Sequence, residues 1–338
     1  MKGNETNTGA VFVQTNEADA NRVIALRRGD DGSLSELGSY ATGGAGDGIP
    51  HLTSQGSVAL TRDGLHLLVT NAGSGDVSIF AVEDGGLSLV DTVATGPAPK
   101  SIAEHEGIVY VLNTADASLA GFRLDNREAI ERYQLAEGSD PAQVGFSPDG
   151  STLVVTDRGT NTIVQFPVGD SGQLGEAQIS PSSGPTPYGF AFAGDTLVVT
   201  EAFGAQTGKA AASSYRLSAA SATPVSRSIG NGRSEICWAV VTNDGRYAFT
   251  TNFADGAVSR YAIGKDGSIA LEDAAAGVAV DGQTGLRDES LSADGRFLYA
   301  VDTDSRRVFG WAVQAGGELE PLGSWAELPA TAAGLAAS

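Results

Sequence analysis

Short apolar segments alternate with polar turns along the whole chain. In seven places an apolar run ends in an amide or carboxylate side chain, and these polar residues are Asn16, Asn71, Asn113, Asp157, Glu201, Asn252 and Asp302. They recur at intervals of roughly 40 to 55 residues, and a period of this length with several strands per unit is typical of a β-propeller. The pattern therefore predicts an all-β chain, a seven-bladed β-propeller.

Turn residues divide each period into four antiparallel strands, named a to d from the axis outward. Between strands a and b lie Asp-Gly pairs such as Asp63-Gly64, Asp149-Gly150, Asp244-Gly245 and Asp294-Gly295. Such pairs supply the positive φ that tight hairpins require. The b strands are runs of β-branched and aromatic residues, as expected for strands that are covered on both faces.

The two ends of the repeat array complement each other. The sequence enters its first blade at a b strand, Val11–Thr15, and has one further short strand, Ala332–Ala337, after the last d strand. This C-terminal strand would join the N-terminal blade as its missing a strand and close the ring without a long unpaired edge. We expect residues 10–338 to form a single domain behind a disordered or loosely held tail of residues 1–9.

The composition restricts the partners of the domain. Among 338 residues, 41 acidic and 21 basic side chains give a formal net charge of −20. Such a surface repels phosphate backbones and anionic lipids, so we expect neither nucleic acid nor membrane as a partner. No apolar run is long enough to cross a membrane and residues 1–10 lack the apolar core of a signal peptide. We expect a cytoplasmic monomer or weak homo-oligomer, with a removed secretion signal left open.

The topology places the start of every a strand at the mouth of the central channel. This ring is heterogeneous, with small residues in some blades and cationic, aromatic or acidic residues in others. Such a ring predicts a concave site for an anionic or polar small molecule. The candidate substrate-binding residues are Lys100, Gln143, Tyr188, Cys237, Trp238 and Asp288, together with Arg233 upstream of the sixth a strand.

Three residues are candidates for catalysis at the mouth. Glu201 is the only glutamate among the seven residues that end the b strands, and the longest b–c loop follows it. His51 lies in a d–a loop and is the only plausible histidine base, whereas His66 and His105 are expected on the opposite face. Arg287 begins an a strand and could stabilise negative charge.

Each of these residues also has a structural interpretation. Glu201 could cap its own turn, and Arg287 could form a solvated rim pair with Asp288 or Glu289. Arg233 could be a loop charge, and Cys237 could be a small buried hydrophobe, since an unpaired cysteine is usually buried. No His/Cys cluster has zinc spacing and no calcium loop is present, so we expect no metal and no cofactor. A metal held by Glu201 and by Asn or Asp residues of separate blades would leave no spacing and stays open.

Several strand and turn phrases are similar to those of the seven-bladed propeller lactonase family. These phrases are Gly96-Pro-Ala-Pro-Lys-Ser101, Ser147-Pro-Asp-Gly-Ser-Thr-Leu-Val-Val-Thr-Asp157 and Asp294-Gly-Arg-Phe-Leu-Tyr-Ala-Val-Asp302. The family includes bacterial 6-phosphogluconolactonases and fungal 3-carboxy-cis,cis-muconate lactonizing enzymes. The resemblance implies the seven-bladed fold over about residues 10–337.

The resemblance also implies a site at the mouth. Members of known activity use a histidine, a glutamate and arginines there, without a required metal. Glu201 is the best match to that glutamate, and Arg233 and Arg287 match the arginines, whereas the family histidine has no clear counterpart. We expect a lactone-active enzyme that hydrolyses a small anionic or sugar-derived lactone. A muconate-type lactonizing cycloisomerase and a non-catalytic binding scaffold are the alternatives.

Overall fold

The fold is a closed ring of seven sheets. The computed structural model describes residues 9–49, 52, 55–83 and 86–338. Their strands, numbered β1 to β28 in chain order, form seven four-stranded antiparallel sheets, one per blade. The all-β, seven-bladed architecture predicted from the repeat is confirmed. In the described part of the chain the only helical element is a 3₁₀ turn, Phe203–Ala205, and no helix is long and apolar enough to cross a membrane.

The strands of the first four blades follow the predicted order. Blade one contains β1 (Gly9–Gln14), β2 (Arg22–Arg28), β3 (Leu34–Ala41) and β28 (Ala333–Ala337). Blade two contains β4 (Val58–Leu60), β5 (His66–Asn71), β6 (Asp76–Glu83) and β7 (Gly86–Ala94). Blade three contains β8 (Pro99–His105), β9 (Ile108–Asn113), β10 (Ser118–Arg123) and β11 (Ala129–Gln134). Blade four contains β12 (Pro141–Phe146), β13 (Thr152–Asp157), β14 (Thr162–Pro167) and β15 (Gln178–Pro181).

The last three blades repeat the same arrangement. Blade five contains β16 (Pro187–Ala193), β17 (Thr196–Glu201), β18 (Ala211–Leu217) and β19 (Ala222–Gly230). Blade six contains β20 (Ile236–Val241), β21 (Tyr247–Asn252), β22 (Ala257–Ile263) and β23 (Ile269–Val278). Blade seven contains β24 (Leu286–Leu291), β25 (Phe297–Asp302), β26 (Arg307–Val313) and β27 (Leu319–Trp325).

The core lies between neighbouring blades, because the two faces of each b strand pack in opposite directions. In β13, Leu153 and Val155 pack against Leu112 of blade three. Val154, between them, packs against Phe190 of blade five. All three β13 side chains are fully buried. A blade therefore needs a neighbour on each side, which explains why its b strand is apolar throughout.

An aspartate fixes the hairpin between strands a and b in blades two, four, six and seven. Ser147 Oγ donates to Asp149 Oδ1 over 2.6 Å and the Ser151 amide donates to the same oxygen over 3.1 Å. These hydrogen bonds lower the pKa of Asp149 to about 2. Gly150 has a φ of 72°, which a side chain would strain. These turns lie on the face of the ring opposite the mouth, so β12 begins at the mouth and ends at the turns.

The ring closes between two strands from opposite ends of the described chain. β28 pairs with β1 in antiparallel register, with Val11 opposite Ala337 and Val13 opposite Leu335. The Ala10 amide also donates to Ser338 Oγ over 2.8 Å. The predicted closure by the C-terminal strand is therefore confirmed.

A variant that lacks residues 329–338 should lose cooperative folding. β28 carries Leu335, which packs against blade seven, and Ala336, which packs against blade two. Its removal exposes the facing sides of both blades. We expect the single thermal transition to broaden or disappear in a circular dichroism melt, whereas Leu335→Ala keeps the transition and costs about 2–5 kcal/mol. An unchanged melting temperature of the truncated chain would contradict the closure.

Candidate active site

Buried aromatic residues meet at the channel mouth where blades four, five and six begin. Ala142 of β12, Tyr188 of β16, and Cys237 and Trp238 of β20 form one buried cluster, and Phe253 packs against it. Phe253 comes from the b–c loop after β21, and b–c loops open on the same face as the starts of the a strands. We refer to these five residues as the mouth cluster.

Two polar atoms of the mouth cluster lack partners among the described residues. Tyr188 and Trp238 pack edge to face, with ring centroids 6.0 Å apart and planes at 70°. Their polar atoms, Tyr188 Oη and Trp238 Nε1, are buried and have no hydrogen-bond partner in the described part of the chain. A buried donor without an acceptor costs about 1–3 kcal/mol. A molecule that placed an oxygen atom beside either donor would supply the missing hydrogen bond.

Two arginines flank the mouth cluster. The guanidinium of Arg287 lies 4.1 Å from the centre of the Phe253 ring, and Arg287 Nε donates to Thr303 Oγ1 over 3.0 Å. Arg158, in the b–c loop of blade four, lies 5.1 Å from the centre of the Tyr188 ring. Its Nη2 also bonds Asp140 Oδ1 over 2.6 Å. The aromatic cluster thus sits between two cations.

The charged side chain of Arg287 is buried, with only 6% of its surface exposed. Burial lowers the pKa of Arg287, while Cys237, Tyr188, Asp304 and Glu235 act in the opposite direction. An arginine stays protonated under all physiological conditions. A positive charge at a site of reduced dielectric attracts an anion more strongly than the same charge in water.

The alternative interpretation of Arg287 as part of a solvated rim pair is wrong. Asp288 and Glu289 are each 3% exposed, so none of these three side chains lies on a solvated rim. Burial raises the pKa of Asp288 well above its usual value, and the nearby backbone amides of Leu335 and Gly56 act in the opposite direction. Its predicted role in substrate binding stays a prediction.

Cys237 carries a protonated thiol. Its side chain is buried, and Sγ donates to the Glu235 carbonyl over 3.3 Å. Burial raises the pKa of Cys237 to about 12, although the nearby Arg287 charge lowers it. A thiol rather than a thiolate is present at neutral pH, so Cys237 forms part of the wall of the mouth cluster and is a poor nucleophile.

The side chain of Glu201 is engaged within blade five. Its Oε1 accepts from the Gly184 amide over 2.8 Å and from Ser213 Oγ over 2.6 Å. Its Oε2 accepts from Ser228 Oγ over 2.7 Å. In blade six, the equivalent Asn252 likewise bonds a serine, Ser259, of its own blade. These contacts favour the turn-capping interpretation, and the catalytic role of Glu201 stays a prediction.

The remaining predicted residues make their described contacts outside the mouth cluster. Lys100 Nζ lies 3.2 Å from Asp47 Oδ2, an ion pair that neutralises the lysine. The side-chain amide of Gln143 bonds the backbone nitrogen and oxygen of Phe190 in the next blade. Arg233 Nε donates to the Ala274 carbonyl over 3.2 Å. His51 lies outside the described residues.

Gln55 crosses the channel beneath the mouth cluster. Its Nε2 donates to the Ala239 carbonyl over 3.0 Å, and its Oε1 accepts from the Ala239 amide over 3.2 Å. Gln55 precedes the a strand of blade two, whereas Ala239 lies across the ring in blade six. A Cβ at Gly189 would lie 2.3 Å from Gln55 Oε1, so glycine is required there. The sequence gives no sign of this contact, because it joins residues that are far apart in the chain.

Arg158 and Phe253 were also missed by the sequence analysis, although a signal exists. Both are the first residue after a b strand, and in the other blades from two to seven this position is small. The set comprises Ala72, Thr114, Arg158, Ala202, Phe253 and Thr303. A comparison of the blades at the first residue after each b strand would have identified Arg158 and Phe253.

Two open grooves lie on the face opposite the mouth. One, of about 510 Å³, lies between the a–b turns of blades four and five and is lined by Ser147, Asp149 and Asp195 among others. The other, of about 650 Å³, lies between blades two and three beside His66 and Glu104. Both are built from hairpin turns. The mouth cluster is the more specific candidate, because it combines buried donors with a buried cation.

The chain matches the family described as "Lactonase, 7-bladed beta-propeller" over residues 6–132, 127–202 and 199–334. A candidate 6-phosphogluconolactonase from Bacteroides fragilis superposes with a TM-score of 0.74 at 15% identity, covering 100% of both chains. The periplasmic gluconolactonase PpgL of Pseudomonas aeruginosa gives 0.74 at 17% identity over 96% of this chain and 97% of its own. At such identities the solved structures show the fold alone. No curated protein matches the chain.

Cys237 should resist thiol reagents while the protein is folded. Because burial raises its pKa to about 12, the reactive thiolate is scarce below that pH. We expect modification by Ellman's reagent at about pH 8 to be at least about 100-fold slower in the folded than in the urea-unfolded chain. Equal rates in the two states would show that the thiol is accessible and ionised.

Proposed function

We propose a lactone-hydrolysing function for this chain, which belongs to the seven-bladed β-propeller lactonase family. The substrate we infer is a small lactone that carries an anionic group, bound at the mouth cluster. One observation carries this proposal. A buried guanidinium lies beside two buried donors, Tyr188 Oη and Trp238 Nε1, that no group of the described residues satisfies.

Hydrolysis of a lactone adds water to an ester carbonyl. The water oxygen bonds to the carbonyl carbon, the ring C–O bond breaks, and the released ring oxygen takes up a proton. The product is a hydroxy acid. Negative charge builds on the carbonyl oxygen in between, and a well-placed donor stabilises it by about 3–4 kcal/mol. Tyr188 and Trp238 would donate to this oxygen, and Arg287 would hold the anionic group of the substrate.

The water must lose a proton to a base, and we assign this role to Glu235. Glu235 precedes β20, and its backbone carbonyl accepts from Cys237 Sγ and from the Phe253 amide, so Glu235 lies beside the mouth cluster. Its side chain is partly exposed, so water can reach it. Glu201 and His51 are the candidates from the sequence. Hydrogen bonds already occupy the Glu201 carboxylate, so Glu201 is a weaker candidate for the general base than Glu235.

A lactonizing cycloisomerase and a non-catalytic binding scaffold are the two alternative functions. A muconate-type cycloisomerase would use the same arginines to hold carboxylates. A binding scaffold needs a continuous apolar surface, yet the exposed large apolar residues in the described part of the chain are spread over several blades. They are Ile49, Leu65, Leu89, Val90, Ile179, Val225 and Val278. This distribution supports an enzyme over a scaffold. The cytoplasmic location stays a prediction.

Arg287→Ala should reduce kcat/KM for anionic lactones by about 100-fold or more, because the variant loses a buried cation at the binding site. The measurement is a pH-indicator assay with sugar-derived and anionic lactones, run beside an absorbance assay for muconate cyclisation. Arg246→Ala is the matched control, since Arg246 is exposed on the opposite face. The proposal fails if Arg287→Ala keeps at least a third of the parent activity.

Glu235→Gln should lower activity without affecting stability, whereas Glu201→Gln should lower stability with little effect on activity. We expect Glu235→Gln to lower kcat by about 100-fold with an unchanged melting temperature, because it removes a proton acceptor from a partly exposed position. We expect Glu201→Gln to cost about 1–3 kcal/mol of stability and to leave kcat within about threefold, since it weakens hydrogen bonds inside blade five. The reverse pattern in kinetics and thermal melts would assign the base to Glu201.

A further inference from the structure

The inner strands are irregular where they carry the donors of the mouth cluster. The pairing of β16 with β17 shifts register after Pro187, and the pairing of β20 with β21 shifts after Ile236. Each shift is a β-bulge, in which two residues of the a strand lie opposite one residue of the b strand. The residues in the two bulges are Tyr188, Gly189, Cys237 and Trp238. Because a bulge interrupts the ladder of backbone hydrogen bonds, other contacts must fix the positions of these residues.

In two places a side chain of one a strand holds the a strand of the next blade. Ser101 Oγ of blade three accepts from the Val144 amide of blade four over 3.1 Å. Gln143 Oε1 of blade four accepts from the Phe190 amide of blade five over 2.6 Å. The register between strands a and b aligns Ala239 of blade six with Val144 and Phe190. The repeat therefore predicts that the Ala239 amide binds a side chain of blade five.

Blade five cannot supply that side chain, because its residue at the position of Ser101 and Gln143 is Gly189. Gln55 supplies it from across the channel. Its Oε1 accepts from the Ala239 amide over 3.2 Å, and its Nε2 donates to the Ala239 carbonyl over 3.0 Å. A Cβ at Gly189 would lie 2.3 Å from Gln55 Oε1. Gly189 thus leaves free the space that the Gln55 carboxamide occupies.

The carboxamide of Gln55 contacts the residue that follows each donor of the mouth cluster. It bonds Ala239, which follows Trp238, and it lies against Gly189, which follows Tyr188. Gln55 is itself held in place, since it is only 8% exposed and its carbonyl accepts from Ser101 Oγ over 2.6 Å. Without the carboxamide, the buried amide and carbonyl of Ala239 would lose their partners, and the end of the bulge would no longer be fixed.

We propose that Gln55 is a positioning residue of the mouth. Its carboxamide fixes the bulge of blade six through the Ala239 backbone and so holds Trp238 Nε1 where it can donate to a substrate oxygen. The effect of Gln55 on turnover rests on the proposed lactone hydrolysis, whereas its effect on Trp238 does not. The role requires one donor and one acceptor on the same group. A carboxylic acid offers both, but a carboxylate offers acceptors only.

Two substitutions of Gln55 test this role. We expect Gln55→Leu, which removes both hydrogen bonds, to lower kcat for lactones about tenfold or more, because a donor to the carbonyl oxygen is displaced. KM for anionic lactones should stay within about threefold, since Arg287 is retained. In Gln55→Glu, the ratio of variant kcat to parent kcat should fall about tenfold or more between about pH 5 and about pH 8. Over this range the introduced carboxylic acid ionises and loses its donor.

Gln165→Leu is the matched control for Gln55→Leu. Gln165 is also a buried glutamine that bonds a neighbouring blade, since its Nε2 donates to the Ser218 carbonyl over 2.6 Å. It lies on β14, the c strand of blade four, away from the mouth. We expect Gln165→Leu to keep kcat within about threefold of the parent.

A fluorescence measurement separates this inference from the proposed function. The difference between each protein and its Trp238→Phe derivative isolates the emission of Trp238 from that of Trp311 and Trp325. We expect acrylamide to quench Trp238 at least about twice as effectively in Gln55→Leu as in the parent, and equally in Gln165→Leu and the parent. If this result is obtained while the parent hydrolyses no lactone, the positioning role stands and the proposed function fails.

Two results would overturn the proposal. One is a Gln55→Leu variant whose kcat and Trp238 quenching both match those of the parent. The other is an equal loss in Gln55→Leu and Gln165→Leu, which would assign the effect to general stability. If Gln55→Leu does not fold, Gln55→Glu decides. A ratio of variant to parent that is constant between about pH 5 and about pH 8, in kcat and in quenching, contradicts the role of the carboxamide as donor and acceptor.

Discussion

The structure depends on the requirement that every blade has a neighbour on both sides. Each b strand buries apolar side chains in two directions, so an open array would leave two apolar faces in water. The pairing of β28 with β1 removes these faces by joining segments more than 300 residues apart, as the bond between Ala10 and Ser338 shows. Local hairpins build the blades, but this one long-range pairing makes them a ring.

The mouth cluster follows from the closed ring. Tyr188, Trp238 and Arg287 begin the a strands of three successive blades, and only the radial arrangement brings them together. Their burial then changes their chemistry, because a guanidinium and two donors without acceptors are held where little water competes. Further along β24, Glu289 replaces the apolar residues Val58, Ile102, Val144, Phe190 and Ala239 of the aligned blades.

Sequence analysis predicts most of this fold because its determinants are local. Strand alternation and Asp-Gly turns recur in each blade, and the spare strand near the C-terminus shows how the ring closes. The predicted ring at the starts of the a strands includes Tyr188 and Trp238, which the structure brings into one cluster, and their role in binding stays a prediction. The contacts of individual side chains depend on residues that are distant in the chain, and the sequence does not predict these contacts. The donors to Glu201 and the contact of Gln55 with Ala239 involve residues from other elements of the chain, so no sequence spacing predicts them.

Gln55 affects how substrate enters the proposed active site and how product leaves it. Its side chain spans the channel from blade two to blade six and narrows the passage below the cup. In the proposed enzyme, substrate and product would then use the opening at the mouth. The hydroxy acid carries one more negative charge than its lactone, so the arginine that recruits the reactant also retains what is made from it. Departure of the acid, rather than cleavage of the ring, would then limit turnover.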